Sequence, residues 1–231
     1  MKYALLAFTI VLGGCDFDSV RAGPEQHETQ SIELDKSEMV RVQVKMGAGE
    51  LQIEGGSPKL MDADFTYNVA SWKPIVRYDS SSFRGQLNIE QPHSSHGVSN
   101  IKYRWDLRLN DTVPLDVVAD LGAGQARMDM GSLNLRSVAV NMGVGELRLD
   151  LRGHPKRDYD VQVNGGVGHA MVYVPSDVGI DAYATGGIGH ISARGLEKDG
   201  SHWRNPGHEN APVNIHLDVK GGIGDIELIA E

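Results

Sequence analysis

The sequence predicts an all-β protein, a β-solenoid or β-roll of stacked units about 21 residues long, each made of a strand, a Gly-x-Gly corner and a second strand. Three observations carry this. Six Gly-x-Gly motifs recur: Gly47 with Gly49, Gly122 with Gly124, Gly143 with Gly145, Gly166 with Gly168, Gly187 with Gly189, and Gly222 with Gly224. Apolar and polar residues alternate on both sides of each motif, as half-buried strands require. The phase of that alternation slips by one residue at each second glycine.

The steps 122→143→166→187 are 21, 23 and 21 residues, and the last step, 187→222, is 35, so a loop is inserted before the final unit. In the fourth unit Val161, Val163, Gly165 and Val167 keep one phase, and Ala170, Val172 and Val174 keep the other. The same slip separates Val138, Val140, Met142 and Val144 from Leu147, Leu149 and Leu151, and Ile215, Leu217, Val219 and Ile223 from Ile226 and Leu228. A slip of one residue turns every later side chain to the other face unless the backbone absorbs an extra residue. Bulges and corners do this, and glycine supplies the backbone conformations they need. Each motif, the first at Gly47 and Gly49 included, is therefore expected to turn the strand in the same way while the apolar row, its middle residue included, stays inward. A two-strand unit cannot bury its apolar face alone, so successive units are expected to stack. An antiparallel sandwich with Gly-rich hairpins is the alternative; stacking is preferred because it explains why equivalent positions repeat in chemical type.

Taken from the N-terminus, Lys2 and the apolar run of residues 3–12 read as a signal peptide, too short for a stable bilayer anchor. The run ends in Leu12-Gly13-Gly14-Cys15, which resembles the lipobox of bacterial lipoproteins, and residues 1–14 are expected to be removed so that Cys15 is lipidated. Cys15 is the single cysteine, so no internal disulfide supports the fold. Asp16 resembles the inner-membrane retention signal of enteric lipoproteins, while other lineages sort differently, which leaves both membranes open. Residues 15–31 are polar and aperiodic and are expected to form a flexible tether.

Residues 32–115 hold the first glycine motif and half of the aromatic residues, with strand alternation clearest in Ile101, Tyr103, Trp105, Leu107 and Leu109. This region is expected to cap the N-terminal end of the stack, and residues 116–231 to continue it. The segments 42–53 (VQVKMGAGELQI), 64–68 (DFTYN), 72–74 (WKP), 105–109 (WDLRL), 113–115 (VPL) and 122–124 (GAG) together resemble the toast-rack N-terminal domain. The later GVG and GIG units resemble the LiaF-type and adhesin-like β-repeat domains of bacterial envelopes. That resemblance implies an envelope location and a role in adhesion or in restraining an envelope-stress sensor, and it carries over no catalytic residues.

With units stacked in sequence order, the first outward residues after the corners form a ladder of Gln125, Glu146, His169, His190 and Asp225, with rungs one strand spacing apart, about 4.8 Å. His169 and His190 flanked by Glu146 and Asp225 are weak candidates for a metal site, against the plainer reading of a solvated ladder. No cofactor is expected. The inserted loop, residues 197–212, carries Trp203 and Arg204, residue types enriched at binding hot spots and so a candidate contact site, against the plainer and preferred reading in which Trp203 packs back as a lid over the stack edge. No nucleophile elbow, zinc-protease, P-loop or dinucleotide motif occurs. The net charge of −9 opposes nucleic acid and anionic lipid as partners. The expected function is that of a non-enzymatic envelope lipoprotein acting as scaffold or binding module, with a metal-dependent protein built on His169 and His190 as the alternative. The C-terminal strand is expected to leave an uncovered edge for a protein partner or a second copy.

Overall fold

The computed structural model describes residues 22–81, 83–92 and 100–231; the signal segment and Cys15 lie outside the described residues. The described chain is all-β apart from two short 3₁₀ turns, at Ala70–Trp72 and His208–Asn210. Its strands are β1 (Gln26–Ile32), β2 (Met39–Glu54), β3 (Met61–Tyr67), β4 (Ile75–Ser81), β5 (Arg84–Glu90), β6 (Tyr103–Leu109) and β7 (Leu115–Asp129). They continue as β8 (Leu135–Asp150), β9 (Tyr159–Val174), β10 (Gly179–Ile188), β11 (Ile191–Arg194), β12 (Glu197–Asp199), β13 (His202–Arg204) and β14 (Asn214–Ala230). All belong to one 14-stranded mixed sheet, ordered β1-β3-β6-β2-β7-β8-β9-β14-β10-β13-β12, with β4, β5 and β11 paired off this path.

The strands that carry glycine motifs are the parallel heart of this sheet. A straight 15-residue strand such as β7 would run about 50 Å. Only residues 130–134 separate its end from the start of β8, its parallel neighbour, and five residues reach about 20 Å at most. The strand must therefore fold back on itself, and it does so at its Gly-x-Gly corner. The partners of β2 show the two arms directly: before the corner it pairs with β5 and after the corner with β6, while β7 runs along both arms on the other side. The inward residues of both arms, such as Val138 and Val140 with Leu147 and Leu149, meet in one continuous buried core.

Several expectations change here. The sheet is open, with β1 at one end of its path and β12 at the other, and it includes antiparallel pairs, so it is not a closed roll of identical coils. The final unit is out of sequence order: β14 pairs in parallel with β9 on one side and with β10 on the other. The long insert makes this possible. It carries the chain outward past β10, through β12 and β13, and back to fill the place left between β9 and β10. The C-terminal strand is accordingly interior instead of an uncovered edge, and Glu231 is held by hydrogen bonds between its backbone and Val174 and Ser176. Residues 26–31, placed in the tether by their polarity, form with Ile32 the edge strand β1, paired along its whole length with β3. Backbone pairing needs no apolar side chain, so the strand left no hydrophobic signal.

At the N-terminal end the antiparallel strands β1, β3 and β6 close the second arm, and the β4–β5 hairpin closes the first. An aromatic cluster fills this end: Phe65 meets Trp105 edge-on at 5.6 Å, and Trp72 meets Tyr103 in the same way at 5.6 Å. The buried Tyr103 hydroxyl donates to the Trp72 carbonyl at 2.7 Å, and burial pushes its pKa well above the usual tyrosine range.

Candidate functional site

The most regular feature of the molecule is its corner, where six bent strands place equivalent residues side by side. The two glycines of each motif serve different ends. A Cβ on Gly122, Gly143, Gly166, Gly187 or Gly222 would strike the backbone carbonyl of the neighbouring strand's first glycine, so the first position is glycine because adjacent backbones pass too close for a side chain. The second glycines, Gly49, Gly124, Gly145, Gly168, Gly189 and Gly224, all have a positive φ, between 134° and 149°, which side chains of L-residues rarely tolerate. Both positions are architectural.

The first motif corrects the expectation that all six corners are equivalent. Gly49 has the largest φ of the set, 149°, and a Cβ on it would strike the carbonyl of Tyr103, not that of another corner glycine. On Gly47 a Cβ would meet only the end of the Gln91 side chain, at 3.3 Å. The reason lies in the strand order. No bent strand precedes β2, whose outer side is covered by β5 before the corner and by β6 after it, so Gly47 and Gly49 face the cap instead of a preceding coil.

The spatial order along the corner follows the sheet. The first outward residues after it run Glu50, Gln125, Glu146, His169, Asp225, His190. His169 and His190 are thus two strands apart with Asp225 between them, because β14 occupies the intervening place. His169 Nε2 lies 3.4 Å from Glu227 Oε1, and the His190 backbone N–H donates to Asp225 Oδ1 at 2.9 Å. Among the described residues no group of three or more His, Cys, Asp or Glu side chains is placed to hold a metal ion.

The middle residues of the motifs depart from expectation. They point away from the core: Val144, Val167, Ile223 and Ile188 are all exposed. The corner takes up its extra residue by turning that side chain outward, and the sequence concealed this because the residue stays apolar.

On the first arm an open groove of about 1000 Å³ runs across the strands beside the corner, lined by Lys45, Gln91, Asp120, Asn141 and Asn164 over bare glycine backbone. Asn141 donates to Asp120 at 2.7 Å and Asn164 to Asn141 at 2.9 Å, an amide ladder climbing one strand at a time. Gln91 Oε1 accepts from the Gly47 N–H at 2.7 Å and satisfies the corner backbone. The second arm presents charged side chains that neutralise one another. Tyr173 lies under two guanidinium groups, Arg148 at 4.2 Å and Arg152 at 4.8 Å, and Arg152 pairs with Asp150 and, at 2.8 Å, with Glu231. Asp150 is a near neighbour of Arg152 in sequence, but Tyr173 and Glu231 are distant and only the strand order brings them to it.

Trp203 and Arg204 lie on β13, which pairs antiparallel with β10 at the end of the stack. Trp203 is half-buried against the core, with Lys198 Nζ 5.4 Å from its ring. Arg204 Nε donates to Asp181 Oδ1 at 3.1 Å, and His202 Nδ1 lies 2.7 Å from the same oxygen. Burial raises the Asp181 pKa, but the hydrogen bonds from Arg204 and His202 outweigh it and hold the carboxyl below the usual range. Buried Asn205 pins the insert to β10: its Oδ1 accepts from the Ile180 N–H at 2.8 Å and its Nδ2 donates to the Val178 carbonyl at 2.6 Å.

A single open, bent β-sheet with aligned glycine corners defines a structural class, and comparison gives it a name. Residues 21–173 match the family model for the N-terminal domain of toast_rack, DUF2154, and the chain belongs to that family. Residues 121–228 also match the model described as cell wall-active antibiotics response LiaF, C-terminal. A crystal structure from Clostridium sporogenes, provisionally described as a cell adhesion protein, is 29% identical and superposes with a TM-score of 0.86, covering 90% of this chain and 100% of that one. A provisionally described adhesin from Parabacteroides merdae is 13% identical over 91% of this chain and 99% of that one, but its TM-score is only 0.30. No curated protein matches the chain.

Proposed function

We propose that this is a lipid-anchored protein of the bacterial cell envelope whose bent β-stack works as a non-catalytic scaffold and binding surface, in adhesion or in envelope-stress signalling. The observation that carries the reading is the likeness, over 90% of this chain, to the structure provisionally described as a cell adhesion protein. The match to the LiaF C-terminal model supports the envelope-stress setting. The anchor rests on the sequence of residues 1–15, in which a short apolar run ends in Leu12-Gly13-Gly14-Cys15. Each bent strand is read as one flattened coil of a solenoid-like stack, with residues 32–115 as its N-terminal cap and residues 116–231 as its continuation.

Strands β10 to β13 form the end of the stack at which a partner would dock, in place of the C-terminal strand. Here the insert presents Trp203 and Arg204, and β11 pairs only with β14 among the described strands.

The test is photocrosslinking in intact cells from a probe at position 203, combined with capture from detergent-solubilised envelopes under normal and stressed growth. A specific crosslinked partner that disappears in Cys15→Ser supports the reading. Intact, lipidated protein that yields no specific partner in either condition contradicts it.

A further inference from the structure

The outward-pointing middle residues form a row along the corner, in the spatial order Ala48, Ala123, Val144, Val167, Ile223, Ile188. The last four are 53, 46, 52 and 70% exposed. Glycine flanks each of them, so no neighbouring side chain on the same strand rises to cover them. Four β-branched aliphatic residues on consecutive strands make a continuous apolar ridge of the kind that marks a contact surface.

The described chain begins on the same row. Register carries the row past Ala48: Glu50 is opposite Arg104, Tyr103 opposite Tyr67, and Tyr67 opposite Gln26, so Lys102, Asn68 and Glu25 continue it. Lys102 Nζ donates to Glu25 at 2.7 Å, and the Gly23 N–H donates to the Asn68 carbonyl at 2.6 Å. Cys15 is seven residues before residue 22, a reach of about 25 Å at full extension. A bilayer holding Cys15 is therefore kept within a short span of the Glu25 end of the row, five strand spacings, about 24 Å, from Val144.

We infer that the corner row is a membrane-contact edge, lying against a zwitterionic lipid surface with Ile188, Ile223, Val167 and Val144 in the headgroup–acyl boundary. The inference rests on the reading of Cys15 as a lipid anchor. The lipid on Cys15 holds the domain at the bilayer, and a second apolar contact in the same molecule then forms at high effective concentration. The net charge of −9, with Glu146 and Asp225 beside the ridge, disfavours anionic lipid.

The lipidated protein carrying Ile188→Cys, or Lys36→Cys before β2 at the far end of the first arm, is labelled with bimane and reconstituted into phosphatidylcholine vesicles containing acyl-chain doxyl lipid. The inference predicts loss of fluorescence at position 188 and none at position 36. Equal, unquenched emission at both positions in a vesicle-bound chain overturns the inference and leaves the anchor standing. A mass showing unmodified Cys15 overturns the anchor and the inference together. A label at position 188 shielded from both doxyl lipid and aqueous iodide places a protein surface, such as a second copy, on the ridge and also overturns it.

Discussion

At Gly145 the backbone φ is 143°, and a Cβ would overlap the carbonyl of Gly124 on the adjacent strand. No side-chain rearrangement relieves that overlap, because both atoms belong to backbones fixed by the parallel ladder. Gly145→Ala is expected to lower stability by about 3–5 kcal/mol. Gly200, with φ of 61° and open space around it, is the control, and Gly200→Ala should cost about 1 kcal/mol. Urea unfolding of both variants checks the contrast; equal losses would contradict the close-approach account. Acid provides a second test. Burial raises the Asp150 pKa, but hydrogen bonds from the Arg152 side chain and backbone, with the charges of Arg152 and Arg148, hold it below the usual value. Asp181 is depressed in the same direction. A depressed carboxylate contributes stability above its unfolded pKa and loses it as pH falls through the folded value. Stability should therefore be level above about pH 5 and fall below about pH 4, with a shallower fall in Arg152→Ala measured by urea titration at each pH.

Among the elements, the bent strands were legible in sequence because two signals coincide: period-two alternation, and a one-residue slip at each second glycine. What that pattern could not show was which way the middle residue points, since Val144, Val167, Ile188 and Ile223 are apolar and still exposed. Nor could it show that Gly49 faces Tyr103 on a capping strand, because the first motif reads like the other five. Strand β1 was illegible for the opposite reason, as its seven residues QHETQSI join the sheet through backbone pairing and polar contacts. The insert is the element that most repays testing. Its strands are three residues long and charged, a common way of blunting a sheet edge. Asn205 clamps it to β10, and Asn205→Ala leaves the Ile180 N–H and the Val178 carbonyl without their partner, at a cost of about 2 kcal/mol. Replacing residues 196–212 with a short Gly-Ser linker should expose β10 and produce concentration-dependent association in sedimentation velocity. A variant that remains folded and monomeric at all concentrations would contradict the capping role.

For the molecule as a whole, the family and the all-β class were readable from local motifs, whereas the open mixed sheet and the order of the last two units were not. Units related by a repeat present nearly the same edges, so Gly165-Gly166-Val167-Gly168, Gly186-Gly187-Ile188-Gly189 and Gly221-Gly222-Ile223-Gly224 can each neighbour either of the others without a change of chemistry. The 35-residue step marked a loop, but only the three-dimensional path shows that the loop carries the chain around the outside so that the C-terminal strand closes the stack from within. This order separates His169 from His190, puts Glu231 beside Arg152, and makes the β10–β11 end the terminus of the stack. On the second arm it aligns Met171 with Glu227, and Glu227 with Ser192. Cysteine pairs in a Cys15→Ser background report the order directly, because neighbouring strands lie within disulfide reach and strands one further apart do not. Mild oxidation followed by peptide mass analysis should give a disulfide in Met171→Cys/Glu227→Cys and in Glu227→Cys/Ser192→Cys, and none in Met171→Cys/Ser192→Cys; a disulfide between positions 171 and 192 would contradict the interior placement of the C-terminal strand.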